Sequence, residues 1–148
     1  MKLSAAALAW SLAGCAGLAQ AWAQAPVTTE RAAASVERGR ALLLQRQDTG
    51  CVLCHQIPGL PAGGALGPSL QGLAERSTLS QARLYIADAR SFNPQTIMPA
   101  YLSTEGLHNV ASGLKGQTIL TPQAVEDILS YLFQPPLQRP AEPSTRAP

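Results

Sequence analysis

The side chains able to do chemistry in this chain are few and unevenly placed. Of 148 residues, three are Cys, two are His and two are Met. Two of the thiols and one imidazole stand together as Cys51-Val52-Leu53-Cys54-His55. Two thiols three residues apart on a short helical turn project toward one face, where each can add across a vinyl group of a haem, while the adjacent imidazole can reach the iron from the same side. That is the pattern of c-type haem attachment, so one covalently attached haem c is the expected cofactor. Other chemistries use similar spacings. A zinc site needs further ligands, and beyond the motif and the leader the chain offers His108. A thioredoxin-like dithiol belongs in a strand-helix-strand context that the sequence lacks, and a disulfide closed over two residues is strained.

A haem iron takes axial ligands above and below the porphyrin plane. Met98, between Pro94 and Pro99, lies in a non-helical segment where a thioether can meet the ring face opposite His55. A lone Met is otherwise core filler, but beside a haem a His/Met pair is a low-spin electron-transfer arrangement. His55 and Met98 are therefore the expected iron ligands, and Cys51 and Cys54 the haem anchors. His108, in the polar stretch 103–109, competes as sixth ligand; its other reading is a surface histidine. An iron-bound His generally donates its second ring N–H to an oxygen, and the carbonyl of Pro68 is the candidate, although Pro68 also reads as a loop stiffener. With both axial positions filled, no residue is assigned a catalytic role.

Composition sets the frame for this site. The chain is 46% hydrophobic and 14% charged, with a formal net charge of +2. This fits one small globular domain and excludes a solvated disordered chain. Eleven Lys and Arg spread against nine Asp and Glu do not make the basic clustering of a nucleic-acid module. Lys2, the apolar run 3–13 and Ala21-Trp22-Ala23 form a secretory signal peptide, residues 1–23, which places the mature protein in the periplasm. Leu12-Ala13-Gly14-Cys15 also fits a lipobox, in which case the signal is 1–14 and Cys15 carries a lipid. As a membrane span the leader is poor, because Gly14, Gly17, Gln20 and Gln24 dilute it and nothing basic closes it. Removing 1–23 also removes both Trp, leaving Tyr85, Phe92, Tyr101, Tyr131 and Phe133 as the aromatic residues. A porphyrin would fill the middle of so aromatic-poor a domain.

The elements that must position the site are helical. Residues 32–46 carry Ala33, Val36, Arg40 and Leu43/Leu44 at helical spacing, and 51–56 can form a short turn that Pro58 stops. Residues 57–72 hold too many Gly and Pro for any regular element. Ser80 can cap a helix over 81–90, which Asn93-Pro94 closes. Thr121-Pro122 is a helix start, followed by the stripe Val125, Ile128, Leu129 and Leu132. Gly39 on the first helix would let the last helix cross closely, with Tyr131 filling the notch. Residues 135–148 are Pro-rich without apolar periodicity and read as a disordered tail. The fold class is all-α with long loops.

Cys51, Cys54 and His55, Gly67-Pro68-Ser69-Leu70, Met98-Pro99 and the 121–132 helix resemble a class I cytochrome c, with its small helical domain wrapped round haem. Gly39 and Tyr131 match that family's contact between terminal helices. The segments Tyr85 to Arg90, Asn93-Pro94, Thr96 to Tyr101, and Ile119-Leu120-Thr121 narrow the resemblance to the SoxX family, the monohaem subunits of the SoxAX cytochromes of sulfur oxidation. It covers residues 35–134 of a domain placed at 28–134. The resemblance implies a heterodimer with SoxA, which would hold the active haem of an L-cysteine S-thiosulfotransferase joining thiosulfate to a cysteine of the carrier SoxYZ. This subunit, not catalytic alone, would take electrons from SoxA and pass them to a soluble cytochrome c. The alternatives are a free monohaem carrier and the cytochrome subunit of another periplasmic dehydrogenase. Residues 102–120 exceed what a minimal class I cytochrome needs, and with 57–66 are expected to meet SoxA.

Overall fold

The computed structural model describes residues 27–61 and 63–135. The leader readings at 1–23 and Cys15, and the tail reading beyond Pro135, lie outside the described residues. Helix α1 runs Val27–Leu44, starting before the expected 32–46 and stopping short of its end. Its inward face carries Gly39 and Leu43, both buried, and Val36, partly buried, whereas Ala33, expected on that stripe, is exposed. The shift follows from what packs on α1, chiefly the last helix with a smaller contribution from the Cys51–Cys54 turn, which leaves Ala33 uncovered. α1 ends where Thr49 folds back and its hydroxyl donates to the carbonyls of Leu42 (2.7 Å) and Gln45 (3.0 Å), closing acceptors that a helix terminus leaves open.

Helix α2, Cys51–Cys54, is a single turn entered through Gly50, whose φ of 67° is the left-handed conformation that glycine adopts freely. The loop that follows is irregular up to a short helix, α3, Leu73–Arg76, which the sequence reading did not foresee. Helix α4 spans Leu79–Asp88 and runs on as a 3-10 turn, Ala89–Ser91. Its N-cap is Thr78, not the expected Ser80. The Thr78 hydroxyl accepts from the Gln81 amide (3.2 Å), and the Gln81 side chain accepts from the Thr78 amide (2.9 Å). This reciprocal box satisfies two free donors at once, which a Ser80 cap would not do.

Helix α5, Pro122–Leu132, starts as expected, with the Thr121 hydroxyl accepting from the Ala124 amide at 3.1 Å and Pro122 in the first turn. Val125, Ile128, Leu129 and Leu132 are all buried. It packs across α1 so closely that a Cβ on Gly39 would lie 1.9 Å from the Asp127 carbonyl oxygen. The atoms nearest the Gly39 notch are backbone atoms of Asp127 and Ile128. Around it sits a polar cluster with no counterpart in the apolar pattern. Asp127, 3% exposed, accepts from Ser35 (2.6 Å), Gln123 (3.1 Å) and twice from Arg38 (2.8 and 2.9 Å). Arg83 joins α4 to α5 through Glu126 at 2.5 and 2.8 Å.

Between Met98 and α5 the chain is mostly exposed, with one 3-10 turn at Ser112–Leu114 and left-handed residues at Gly106, Asn109 and Gly116. Arg90 ties this excursion to α4, donating to Asp88, to the Glu105 carbonyl and to Ser103. No strand occurs among the described residues, and none of their helices is long and apolar enough to cross a membrane.

Candidate haem site

The attachment motif is held by the loop that follows it. At His55 the backbone turns extended (φ −113°, ψ 141°), so the imidazole leaves the end of α2 instead of continuing it. Amides of the Gly-rich loop then cap the motif's carbonyls: Gly64 donates to Val52 (3.0 Å), Gly67 to Cys54 (2.7 Å) and Leu70 to Gln56 (2.8 Å). A side chain could not fit between the layers. A Cβ on Gly64 would lie 1.8 Å from the Leu53 carbonyl oxygen, and one on Gly63 2.0 Å from that of His55. The glycines that read simply as helix breakers are there because two backbones touch.

His55 is fixed by the same loop. Its Nδ1 lies 2.7 Å from the Pro68 carbonyl oxygen. A carbonyl only accepts, so Nδ1 is the donor in this contact, which leaves Nε2 as the ring nitrogen available to a metal. Gly67 lies flat against the ring, where a Cβ would be 2.4 Å from Cε1 and 2.7 Å from Nδ1. The Pro68 acceptor matches the expectation from sequence, whereas the steric role of Gly67 has as its sequence signal only its place immediately before that proline.

Met98 comes from a separate segment of the chain. Its amide donates to the Thr96 hydroxyl (3.2 Å), in a non-helical segment that bends at Met98 ahead of Pro99. Cys51, Cys54, His55 and Met98 all line one cavity of about 600 Å³, together with aliphatic side chains such as Leu43, Leu70 and Ile128. That volume lies within the usual range for cofactor pockets. No carboxylate stands among the lining residues, and the lining Arg76 turns its guanidinium to the carbonyls of Gln71 and Ser69.

Two lining groups have shifted acidity. Before any thioether forms, burial pushes the Cys51 thiol up, against a weaker opposing pull from its neighbours. Burial likewise drives the Tyr101 hydroxyl well above its ordinary value, so it stays a donor, and it donates to the Thr49 carbonyl at 2.6 Å. Tyr101 was expected only as a core aromatic. His108, the competing sixth ligand, does not line this cavity; it is exposed in a separate shallow pocket with Leu107, Asn109 and Lys115. Among the described residues no three His, Cys, Asp or Glu side chains converge as metal ligands, so the zinc alternative lacks a donor set.

Thiols on one turn, an imidazole with a free Nε2 and a thioether round an apolar cavity fit a covalently bound haem. The family model for cytochrome c matches residues 36–134. The chain belongs to the cytochrome c family. Covalently bound haem c and electron transfer come with that membership, and the helical domain with long loops is its fold. This cytochrome is also similar to a chain in the crystal structure of SoxXA from P. pantotrophus, at 29% identity and a TM-score of 0.58, over 70% of this chain and 81% of that one. The resemblance to SoxX thus has a counterpart in three dimensions, and the protein is a SoxX-like cytochrome. No curated protein matches it.

Proposed function

We propose that this cytochrome is the electron-transfer subunit of a periplasmic SoxAX-type complex, with one haem held by Cys51 and Cys54 and its iron ligated by His55 and Met98. The observation that carries the reading is the convergence of these four side chains on one apolar cavity, in a chain similar to SoxXA. When bound, haem c supplies one-electron transfer, two rounds of which match the two electrons released when thiosulfate and a thiol join in one S–S bond. The chain's own residues supply position and environment. His55, oriented through Nδ1 by Pro68, would offer Nε2 to the iron. The Met98 thioether, a soft ligand, would favour the reduced iron and raise the potential. The walls are largely aliphatic, no carboxylate lines the cavity, and the sequence has no third thiol beyond the leader, which supports leaving bond making to a partner. That step would fall to SoxA and the carrier SoxYZ, with a soluble cytochrome c as the acceptor.

A pull-down joined to spectroscopy tests this reading. A stable heterodimer with a SoxA-type cytochrome, and haem reduction that depends on thiosulfate, are expected. A monomer reduced only by generic donors would instead mark a free carrier. The oxidised protein should show the deep-red Met–iron(III) band, and Met98→Ala should abolish it. Persistence of the band in that variant would remove Met98 as the ligand.

A further inference from the structure

We infer that Tyr101 is a positioning residue, a latch that holds Met98 at the cavity by tying its segment to the backbone that leads into the Cys51–Cys54 turn. The inference rests on Met98 being the axial ligand. Upstream, the Met98 segment is held by bonds that stay local: the Thr96 amide donates to the Asn93 carbonyl (3.0 Å) and the Met98 amide to the Thr96 hydroxyl (3.2 Å). Ile97 beside it is 71% exposed. Such turns hold their own shape without fixing the segment to the rest of the domain.

Long-range anchorage comes at Tyr101. Its amide donates to the Ile86 carbonyl on α4 (3.3 Å), its carbonyl accepts from the Leu120 amide ahead of α5 (3.0 Å), and its hydroxyl donates to the Thr49 carbonyl (2.6 Å). Three bonds from one residue thus reach three different parts of the fold. The hydroxyl bond crosses from the methionine side to the cysteine side. Thr49 is itself immobilised, because its own hydroxyl is bonded to the carbonyls of Leu42, in the last turn of α1, and of Gln45 just beyond it. Tyr101 is 5% exposed and lines the cavity, so loss of its hydroxyl would strand the Thr49 carbonyl away from water. Pro99 and Ala100 are the only residues between Met98 and this knot, which leaves the thioether little freedom to withdraw. An external ligand that replaces Met98 must loosen the segment, and by linkage whatever loosens the segment favours that ligand.

The test uses the ferric holoprotein and imidazole as the competing iron ligand. Tyr101→Phe keeps the ring and removes the bond, so imidazole should displace the deep-red Met–iron(III) band at about ten-fold lower concentration than in the parent, the effect of one buried hydrogen bond. Tyr131→Phe is the control, since it too removes a bond from a buried Tyr hydroxyl to a loop carbonyl, that of Pro58 at 2.9 Å, but on α5. A merely stabilising role predicts equal shifts in the two variants, and equal shifts, or no shift in Tyr101→Phe, would overturn the latch. In the parent protein the Tyr101 hydroxyl proton should exchange slowly by NMR and faster once imidazole has displaced Met98; unchanged exchange refutes the coupling without any variant. If the parent shows no Met–iron(III) band, the ligand assignment fails and takes the latch with it, an outcome distinct from a normal band that Tyr101→Phe leaves untouched.

Discussion

For His55, the proposed iron ligand, behaviour would be set largely by atoms that do not touch the iron. The Pro68 carbonyl selects the tautomer and Gly67 selects the ring plane, because its missing Cβ is the space the ring occupies. In Gly67→Ala the new methyl would meet Cε1 at 2.4 Å, and either the ring turns or the loop lifts; both break the Nδ1 bond. The expected result is a protein of unchanged haem-loaded mass, since Cys51 and Cys54 still react, whose imidazole is held on the iron about ten- to a hundred-fold less firmly. Ready binding of CO by the reduced variant would show it, and a spectrum and CO response identical to the parent's would contradict it.

At the scale of elements the domain depends on the crossing of α1 and α5. Gly39→Ala would drive a methyl into the Asp127 carbonyl at 1.9 Å, a backbone contact that no rotamer relieves. The helices must separate, at a cost of about 3 kcal/mol, measurable as a lower denaturant midpoint of the holoprotein. The same crossing has an acid limit. The Arg38 guanidinium, with help from Ser35 and Gln123, holds the Asp127 carboxyl below the usual carboxylate range. A depressed folded pKa means that its stabilisation is fully present above the unfolded value of about 4 and is lost as pH falls through the folded one. Denaturant midpoints should therefore fall below about pH 4, and Asp127→Asn should lie lower at neutral pH with a flatter acid limb. A parallel pair of curves would show that Asp127 is not the titrating group.

For the molecule as a whole, the haem cavity faces one functional demand and the excursion before α5 another. Residues 102–120 leave Leu107 and Leu114 about half exposed, although Arg90 pins the start of this stretch to α4. Apolar side chains on an anchored loop suit a partner surface better than a solvent face. Introducing charge with Leu107→Glu and Val110→Glu should abolish co-elution with a SoxA-type partner while leaving the haem spectrum intact. Unchanged co-elution would place the interface elsewhere.

Much of this protein is written locally in its sequence. Cys51, Cys54 and His55 declare haem attachment because one turn of helix sets their relative positions. Thr121-Pro122 declares a helix start because capping involves three adjacent residues, and the α5 stripe follows from a period of 3.6. The N-cap of α4 was misplaced at Ser80 because several hydroxyls compete there and the Gln81 side chain decides among them. Tertiary structure alone settled what depends on residues far apart: that His108 stays outside the cavity, that Asp127 is buried and paired across two helices, that glycines 63, 64 and 67 are contact surfaces, and that Tyr101 reaches Thr49. Composition and spacing carry the reach of a side chain along its own element. Which backbone atom waits at the end of that reach exists only once the elements have packed.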